Sequence, residues 1–267
     1  MPSAYDIRLI QAGNIIEKIE YEKPVINYDS EQIFRMTCHN NHGRKQTASE
    51  SNKIKNRELV LYKARNEVRR LINANVNRYK DENGINYKPV FLTLTFADNI
   101  KDISEANKEF RKFIKRLGYH IANNQTYVKY VVVPEFQKRG AVHYHLVMFN
   151  LPYIKNKILA TIWDNGFIKL NVIEGVNNIG AYVCKYMTKE YDVKDKLAGQ
   201  KCYFRSQNLY EPQELKLLSS IPIYDDLLQE LEFTSSVLHT QEHDSEHFGQ
   251  INYTQYYSDS FELDGCC

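Results

Sequence analysis

One stretch decides how this chain folds: Glu135-Phe-Gln-Lys-Arg-Gly-Ala-Val-His143-Tyr-His145-Leu-Val-Met-Phe149. Two histidines separated by one residue lead into an apolar run, which is the pattern of a buried β-strand. Side chains at positions i and i+2 of a strand point to the same face, so we expect His143 and His145 to project together and Tyr144 to point away. Two neutral imidazoles side by side offer nitrogen ligands for one divalent cation.

The same stretch contains a turn that folds the strand back on a partner. The apolar run Tyr130-Val-Val-Val-Pro134 comes just before Glu135, and Gln137 to Gly140 are expected to form the turn, with Gly140 as the turn residue. A hairpin of that length places the carboxylate of Glu135 beside His143. The alternative is that both histidines are simply polar residues on a strand that binds no metal.

The order of the predicted elements defines the fold class. The elements around the hairpin are a strand over 90–96, a helix from a capping box at 102–105 to Gly118, a helix around 154–165, a strand over 167–173 and a helix over about 177–191. This order is a βαββαβ pattern. It predicts an α+β fold, an antiparallel β-sheet flanked by helices, with the element order of RRM-like RNA-binding sheets.

The charge of the chain is unevenly distributed. Ten of the 33 acidic residues and none of the 35 basic residues follow Lys216, so residues 1–216 carry a net charge of +12. A basic body suits a polyanion such as nucleic acid. The candidate DNA contacts lie on the basic helix predicted over 53–75 and in the hairpin turn: Arg69, Arg70, Lys138 and Arg139. A charged helix face is also common on helices that are merely solvated.

We expect four ranges along the chain: an N-terminal segment (1–52), a basic helix and loop (53–87), the core (88–205) and a poorly ordered acidic C-terminal tail (206–267). A short acidic helix is predicted within that tail, at Tyr224–Phe233. No apolar run reaches ~18 residues, the N-terminus lacks a signal pattern, and the five cysteines lack metal or redox spacing. These features predict a soluble cytoplasmic protein without a membrane partner.

A helix near residue 180 carries two tyrosines and two lysines at regular spacing. The string Asn178-Ile-Gly-Ala-Tyr182-Val-Cys-Lys185-Tyr186-Met-Thr-Lys189-Glu190 repeats Tyr-x-x-Lys. At ~100° per residue, Tyr182, Lys185, Tyr186 and Lys189 share one stripe, and a neighbouring apolar stripe can pack on the sheet. A lysine near a phenol stabilises the phenolate, which suits a tyrosine nucleophile. The same residues would also suit an amphipathic surface helix.

Taken together, these residues resemble the three ordered motifs of the HUH endonucleases. The motifs are Phe91-Leu-Thr-Leu-Thr-Phe, then Glu135 with His143-Tyr-His145, then Tyr182-Val-Cys-Lys-Tyr186-Met-Thr-Lys189, and the likeness covers roughly residues 88–191. Within that family the chain is most similar to the rolling-circle replication initiators of plasmids and single-stranded DNA phages. The resemblance implies an HUH nuclease core in which His143, His145 and Glu135 hold Mg²⁺ or Mn²⁺.

The resemblance also implies the reaction. A helix tyrosine attacks single-stranded origin DNA, leaving a 5′-phosphotyrosyl protein and a free 3′-hydroxyl. Tyr186 fits both the paired-tyrosine and the single-tyrosine pattern of the family and is the first choice, with Tyr182 as its partner and Lys185 and Lys189 as supporting cations. The chain lacks the Gly-x-x-x-x-Gly-Lys-Ser/Thr string of the large viral initiators. The resemblance therefore implies a helicase supplied by a prokaryotic host.

Two other functions fit parts of the pattern. A small relaxase or transposase of the same superfamily would use the same chemistry, and the genomic context of the gene would discriminate between them. A non-catalytic RRM-like nucleic-acid-binding module would share the element order. That module should carry exposed aromatic side chains on two central strands, and it leaves the histidine pair unexplained.

Overall fold

The structure is a computed structural model that describes residues 4–26, 50–137, 139–173, 175–187 and 201–263, without the side chains of 50–57, 185–187 and 223. In chain order the elements are β1 (Ala4–Ala12), β2 (Ile15–Ile26), α1 (Glu50–Asn75), β3 (Val90–Phe96), α2 (Ile103–Ala122), β4 (Tyr130–Phe136), β5 (Val142–Met148), α3 (Asn156–Trp163), β6 (Gly166–Val172), α4 (Ile179–Met187), β7 (Phe204–Arg205), β8 (Gln213–Leu217), a 3₁₀ turn (Pro222–Tyr224), α5 (Asp225–Thr234), β9 (Ser236–Ser245) and β10 (Gly249–Tyr257). The predicted α+β class, with antiparallel sheets flanked by helices, is confirmed.

The chain divides into two compact units, one of residues 57–211 and one that joins 1–56 to 212–267. In the first unit, the strands form one antiparallel sheet in the order β6-β3-β5-β4-β7. This sheet contains the predicted βαββαβ series as β3-α2-β4-β5-α3-β6. The histidine strand β5 lies at its centre.

Each face of this sheet is covered by a pair of helices. On one face, residues of β3, β4 and β5 pack against α2 and α3, in a cluster that includes Leu92, Val132, Tyr144, Phe113 and Trp163. The opposite face packs against α1 and α4, in a second cluster that includes Phe91, Val131, Val147, Leu71 and Val183. The alternation of strand side chains between the two faces is the reason that one sheet supports two separate cores.

Gly118 does not end α2, as the sequence predicted. The helix continues to Ala122, and Asn123 ends it in the left-handed conformation with φ 51°. Gly118 is a buried residue of the helix interior, where a Cβ atom would lie 2.4 Å from the carbonyl oxygen of Asn124. The glycine is needed for this close approach of the following loop. At the other end, the N-cap at Asp102 is confirmed, because its carboxylate accepts a hydrogen bond from the amide of Ser104.

The prediction of a poorly ordered acidic tail is wrong for most of that segment. In the second unit, β8, β9 and β10 join β1 and β2 in an antiparallel sheet of order β8-β1-β2-β10-β9. The predicted acidic helix is confirmed as α5, and its Leu227 and Leu231 pack on Leu9 and Phe261. The N-terminal and C-terminal segments therefore form one unit. Within the described ranges, the structure shows no helix long and apolar enough to cross a membrane.

Candidate functional site

The histidine pair occupies the face of the sheet that α1 and α4 cover. The antiparallel register pairs His143 of β5 with Glu135 of β4, and His145 with Thr93 of β3. Paired residues of neighbouring strands share a face, so both imidazoles and the carboxylate lie on one side, as predicted. Tyr144 points to the other side, where its hydroxyl donates to Asn107 at 2.6 Å in the buried core.

His145 is held by contacts on three sides. Its Nδ1 lies 3.2 Å from the hydroxyl of Thr93, and its Nε2 faces the Glu135 carboxylate in direct contact. The ring also stacks on Phe91, with ring centroids 5.7 Å apart and planes 9° from parallel. Contacts of this kind fix the orientation of an imidazole and make its ring nitrogens distinct.

His143 is buried and has an unused nitrogen. Only 9% of the residue is exposed, and its Nε2 has no hydrogen-bond partner in the part of the chain that the structure describes. Burial lowers the pKa of His143; the nearby Glu135 carboxylate opposes this shift, and His145 and Arg139 add to it. The imidazole is therefore neutral at neutral pH. A buried nitrogen without a partner costs ~1–3 kcal/mol, which a bound ligand would recover.

These donors suit a divalent cation in chemistry, although their arrangement is not that of a closed site. Carboxylate is a ligand for Mg²⁺ and Mn²⁺, and neutral imidazole is a ligand for divalent transition-metal ions. Yet among the described residues, no group of three or more histidine, cysteine, aspartate or glutamate side chains is arranged to hold a metal ion. Glu135 contacts Nε2 of His145 instead. A cation bound to both groups would have to separate the carboxylate from this imidazole.

The tyrosine helix lies on the same face as the histidines. Ile179 and Val183 of α4 are buried in the cluster on this face, which confirms that the apolar stripe packs on the sheet. Tyr182, one position before Val183, is 36% exposed. Lys185 and Tyr186 belong to α4, but their side chains are outside the described part of the structure.

The start of α4 is fixed to α1 by a close crossing. Gly180 sits where α1 passes, and a Cβ atom there would lie 2.2 Å from the carbonyl oxygen of Arg69. The side chain of Asn73 accepts from the amide of Gly180 at 2.7 Å and donates to Asn178 at 2.9 Å. Asn178 in turn accepts from the amide of Ala181 at 2.8 Å, as an N-cap side chain does. These contacts set the position of the tyrosine helix.

The predicted DNA contacts lie in different surroundings. Arg139 is exposed in the hairpin turn, donates to Gln137 at 2.7 Å, and lies close enough to His143 to lower its pKa. Arg69 is half-buried rather than on an outward face. It lies near Cys184 of α4: burial raises the pKa of this thiol to about 11, and the positive charge of Arg69 opposes that shift. Arg70 is also half-buried. Lys138 and Lys189 lie outside the described residues.

Sequence reasoning missed the supports that β3 supplies to the histidines. The alternation over Val90–Phe96 places Phe91 and Thr93 on one face of their strand, and this pattern was visible. It did not show that β3 is the neighbour of β5, which is what brings Thr93 opposite His145. The pairing of strands from different parts of the chain is the information that was lacking.

Comparison with known proteins finds similarity to replication-associated proteins. Residues 89–191 match the family model of the replication-associated protein ORF2/G2P. The chain is also 29% identical over 139 residues to the replication-associated protein ORF2 of Spiroplasma virus 4. That alignment covers 41% of this chain and 41% of the viral protein. No solved structure matches the chain. The range matched by the family model contains the histidine hairpin and α4, and both similarities are to replication-associated proteins.

Proposed function

We propose that the chain is a rolling-circle replication initiator that nicks and rejoins single-stranded origin DNA through a 5′-phosphotyrosyl intermediate. The observation that carries the proposal is the shared face: His143, His145 and Glu135 of the central hairpin lie on the side of the sheet on which the tyrosine helix α4 packs. A metal site and a nucleophile must meet at one phosphate for this reaction. A metal site and a tyrosine helix on opposite faces of the sheet would have excluded this reaction.

Each group has a role that its chemistry supports. Glu135, His143 and His145 would hold Mg²⁺ or Mn²⁺, which when bound supplies positive charge to the scissile phosphate. The hydroxyl of Tyr186, or of Tyr182 in an alternate round, attacks the phosphorus, and the bond from phosphorus to the 3′ oxygen breaks. The phenol loses its proton and the departing 3′ oxygen gains one. Lys185 and Lys189 favour the developing phenolate, whose reference pKa is ~10.

An RRM-like binding module fits the structure less well. Such modules stack bases on exposed aromatic side chains of the central strands. Here the central strands are β3 and β5, and their aromatic residues Phe91, Phe96 and Tyr144 are at most 6% exposed. A small relaxase or transposase would use the same site, so the DNA sequence that is cleaved, a replication or a transfer origin, separates those functions from an initiator.

The experiment is a search for a covalent adduct. Labelled single-stranded oligonucleotides that tile the DNA carrying the gene are incubated with protein and Mn²⁺, and the products are resolved under denaturing conditions. We expect one oligonucleotide to label the wild-type protein, Tyr186→Phe to abolish the first adduct, and Tyr182→Phe to form it but fail in rejoining. Tyr153→Phe, at a tyrosine that is 92% exposed before α3, serves as the control. Adduct formation by the Tyr182→Phe/Tyr186→Phe double variant would refute the tyrosine mechanism.

The proposed setting follows from the reaction. The partner we propose is single-stranded origin DNA, and we assign strand separation to a helicase of the host. We place the protein in the cytoplasm of a prokaryotic cell. Purification of the chain with host helicase from such cells, lost in the absence of origin DNA, would support this assignment.

A further inference from the structure

An exposed aromatic side chain lies in the same row of the sheet as the histidine site. The register pairs Phe167 of β6 with Thr95 of β3, Thr95 with His143, and His143 with Glu135. The next row pairs Lys169 with Thr93, and Thr93 with His145. Residues paired across strands share a face. Phe167 and Lys169 are therefore on the face that carries the histidines.

Phe167 and Lys169 differ from the other members of these rows in their exposure. Phe167 is 75% exposed and Lys169 is also exposed, whereas His143 is 9% exposed. β6 is an edge strand of the sheet, which leaves this end of the face accessible. A phenylalanine side chain exposed to this degree contributes little to stability through burial of apolar surface. An aromatic ring with a lysine two residues along the same face is a combination that suits a nucleotide, with a π-face for the base and a cation for the phosphate.

Close contacts just before Phe167 set the backbone position of this residue. Trp163, the last residue of α3, is fully buried, and its indole nitrogen donates to the carbonyl of Thr95 at 3.2 Å. At Gly166 (φ +141°), a Cβ atom would lie 2.4 Å from that same carbonyl. β6 therefore begins in close contact with β3, and the position of Phe167 is set by rigid neighbours. Two strand spacings, ~10 Å, separate it from His143.

We propose that Phe167 and Lys169 form a platform that holds single-stranded DNA next to the phosphate to be cleaved. Phe167 stacks on a base that flanks the scissile bond, and Lys169 pairs with a backbone phosphate. Stacking on an aromatic face accepts any base, so the platform positions the strand without reading its sequence. This inference rests on the proposed function, because it takes single-stranded DNA as the ligand and the histidine site as the place of reaction.

The test measures binding apart from cleavage. A fluorescein-labelled mixed-sequence oligonucleotide of about 15 nucleotides, within the site size of single-strand binders, is titrated in EDTA and followed by anisotropy. We expect Phe167→Ala to weaken binding by roughly 5- to 150-fold, the range for loss of one stacked base. Lys169→Ala should flatten the plot of log K against log salt by about 0.7. Tyr153→Ala is the matched control and should bind as wild type. Tyr153 is also an exposed aromatic residue, but it follows the C-terminal end of β5, whereas His143 lies near the N-terminal end of that strand.

A second variant reports the contact directly. Phe167→Trp should keep wild-type affinity, and the emission of the new tryptophan should be quenched as DNA is added, because its ring stacks on a base. The chain's single native tryptophan, Trp163, is fully buried and gives a constant background. The platform is refuted if Phe167→Ala binds like Tyr153→Ala, if the new tryptophan does not respond, or if the wild type binds no single strand. Wild-type binding that depends on Phe167 but yields no adduct with Mn²⁺ would support the platform and overturn only the proposed nicking.

Discussion

Replacing Gly180 by alanine should displace the tyrosine helix. A Cβ atom at this position would lie 2.2 Å from the carbonyl oxygen of Arg69 and 2.9 Å from both its carbonyl carbon and the side-chain oxygen of Asn73. Real Cβ atoms essentially never approach closer than 3.0 Å. Two of the three atoms belong to the backbone of α1, so the clash cannot be relieved by rotating a side chain. The helices must separate by roughly an ångström.

The size and sign of the effect follow from three contributions. Alanine is favoured over glycine inside a helix by ~1 kcal/mol, which would stabilise the variant. Overpacking at a close crossing costs ~1–3 kcal/mol. Separation of the helices also breaks the 2.7 Å hydrogen bond from the Gly180 amide to Asn73, which costs about 1 kcal/mol more. The net expectation is a loss of about 1–3 kcal/mol, opposite in sign to helix propensity alone.

The assay combines thermal unfolding with adduct formation measured well below the melting temperature. Gly84→Ala is the control for a methyl group added without a clash, because no atom lies within 4 Å of it, although Gly84, unlike the helical Gly180, has a positive φ of +79°. The control should lose ~1 kcal/mol or more through backbone strain and still form the adduct. Gly180→Ala should lose stability and lose the adduct. A Gly180→Ala protein that is more stable than wild type would refute the close crossing.

Two further predictions concern the histidine site. His143→Ala and His145→Ala should abolish the adduct in folded protein, whereas Glu135→Ala should retain activity that rises with Mn²⁺ concentration; wild-type nicking by both histidine variants would contradict the assignment. Because burial lowers the pKa of His143, the unfolded chain binds a proton that the folded chain does not as pH falls below the unfolded value of ~6.5. The free energy of unfolding should therefore fall as the pH decreases through that range, and it should fall less steeply in His143→Gln. Urea unfolding at about pH 7.5, 6.5 and 5.5 measures both slopes. An identical slope in the variant would show that His143 is not the group responsible.

The histidine hairpin could be predicted because its rules are local. Alternation of period two fixed which side chains share a face, and the positive φ of Gly140 (+85°) is the turn feature that its glycine indicated. The placement of α4 on the histidine face could not be derived in the same way. It depends on the crossing at Gly180 and on the clamp by Asn73, which lies more than a hundred residues away in sequence.

The second sheet was missed for two different reasons. β1 and β2 carry a readable hairpin signal, Gly13-Asn14 between apolar strands, and Gly13 indeed has a positive φ of 61°. That signal was overlooked. β9 carries none, because nearly all of its side chains are exposed and so lack any apolar alternation. Its register with β10 is that of an antiparallel backbone pairing, which the amino-acid composition does not reveal.

The integration of the C-terminal segment can be tested with two identical substitutions. Phe261 is 2% exposed, packs in the cluster with Leu9, and its carbonyl accepts from the side chain of Gln11 at 2.6 Å. Phe233, in the same unit at the end of α5, is 91% exposed.

Phe261→Ala should cost about 3–5 kcal/mol, the range for a buried phenylalanine. That loss is a large part of the ~5–15 kcal/mol that holds a domain folded. Phe233→Ala should stay within about 0.5 kcal/mol of wild type. Urea unfolding of both variants measures the difference. Equal stabilities would restore the view of this segment as an unfolded acidic appendage, whereas a large difference means that any truncation upstream of Phe261 removes part of a core.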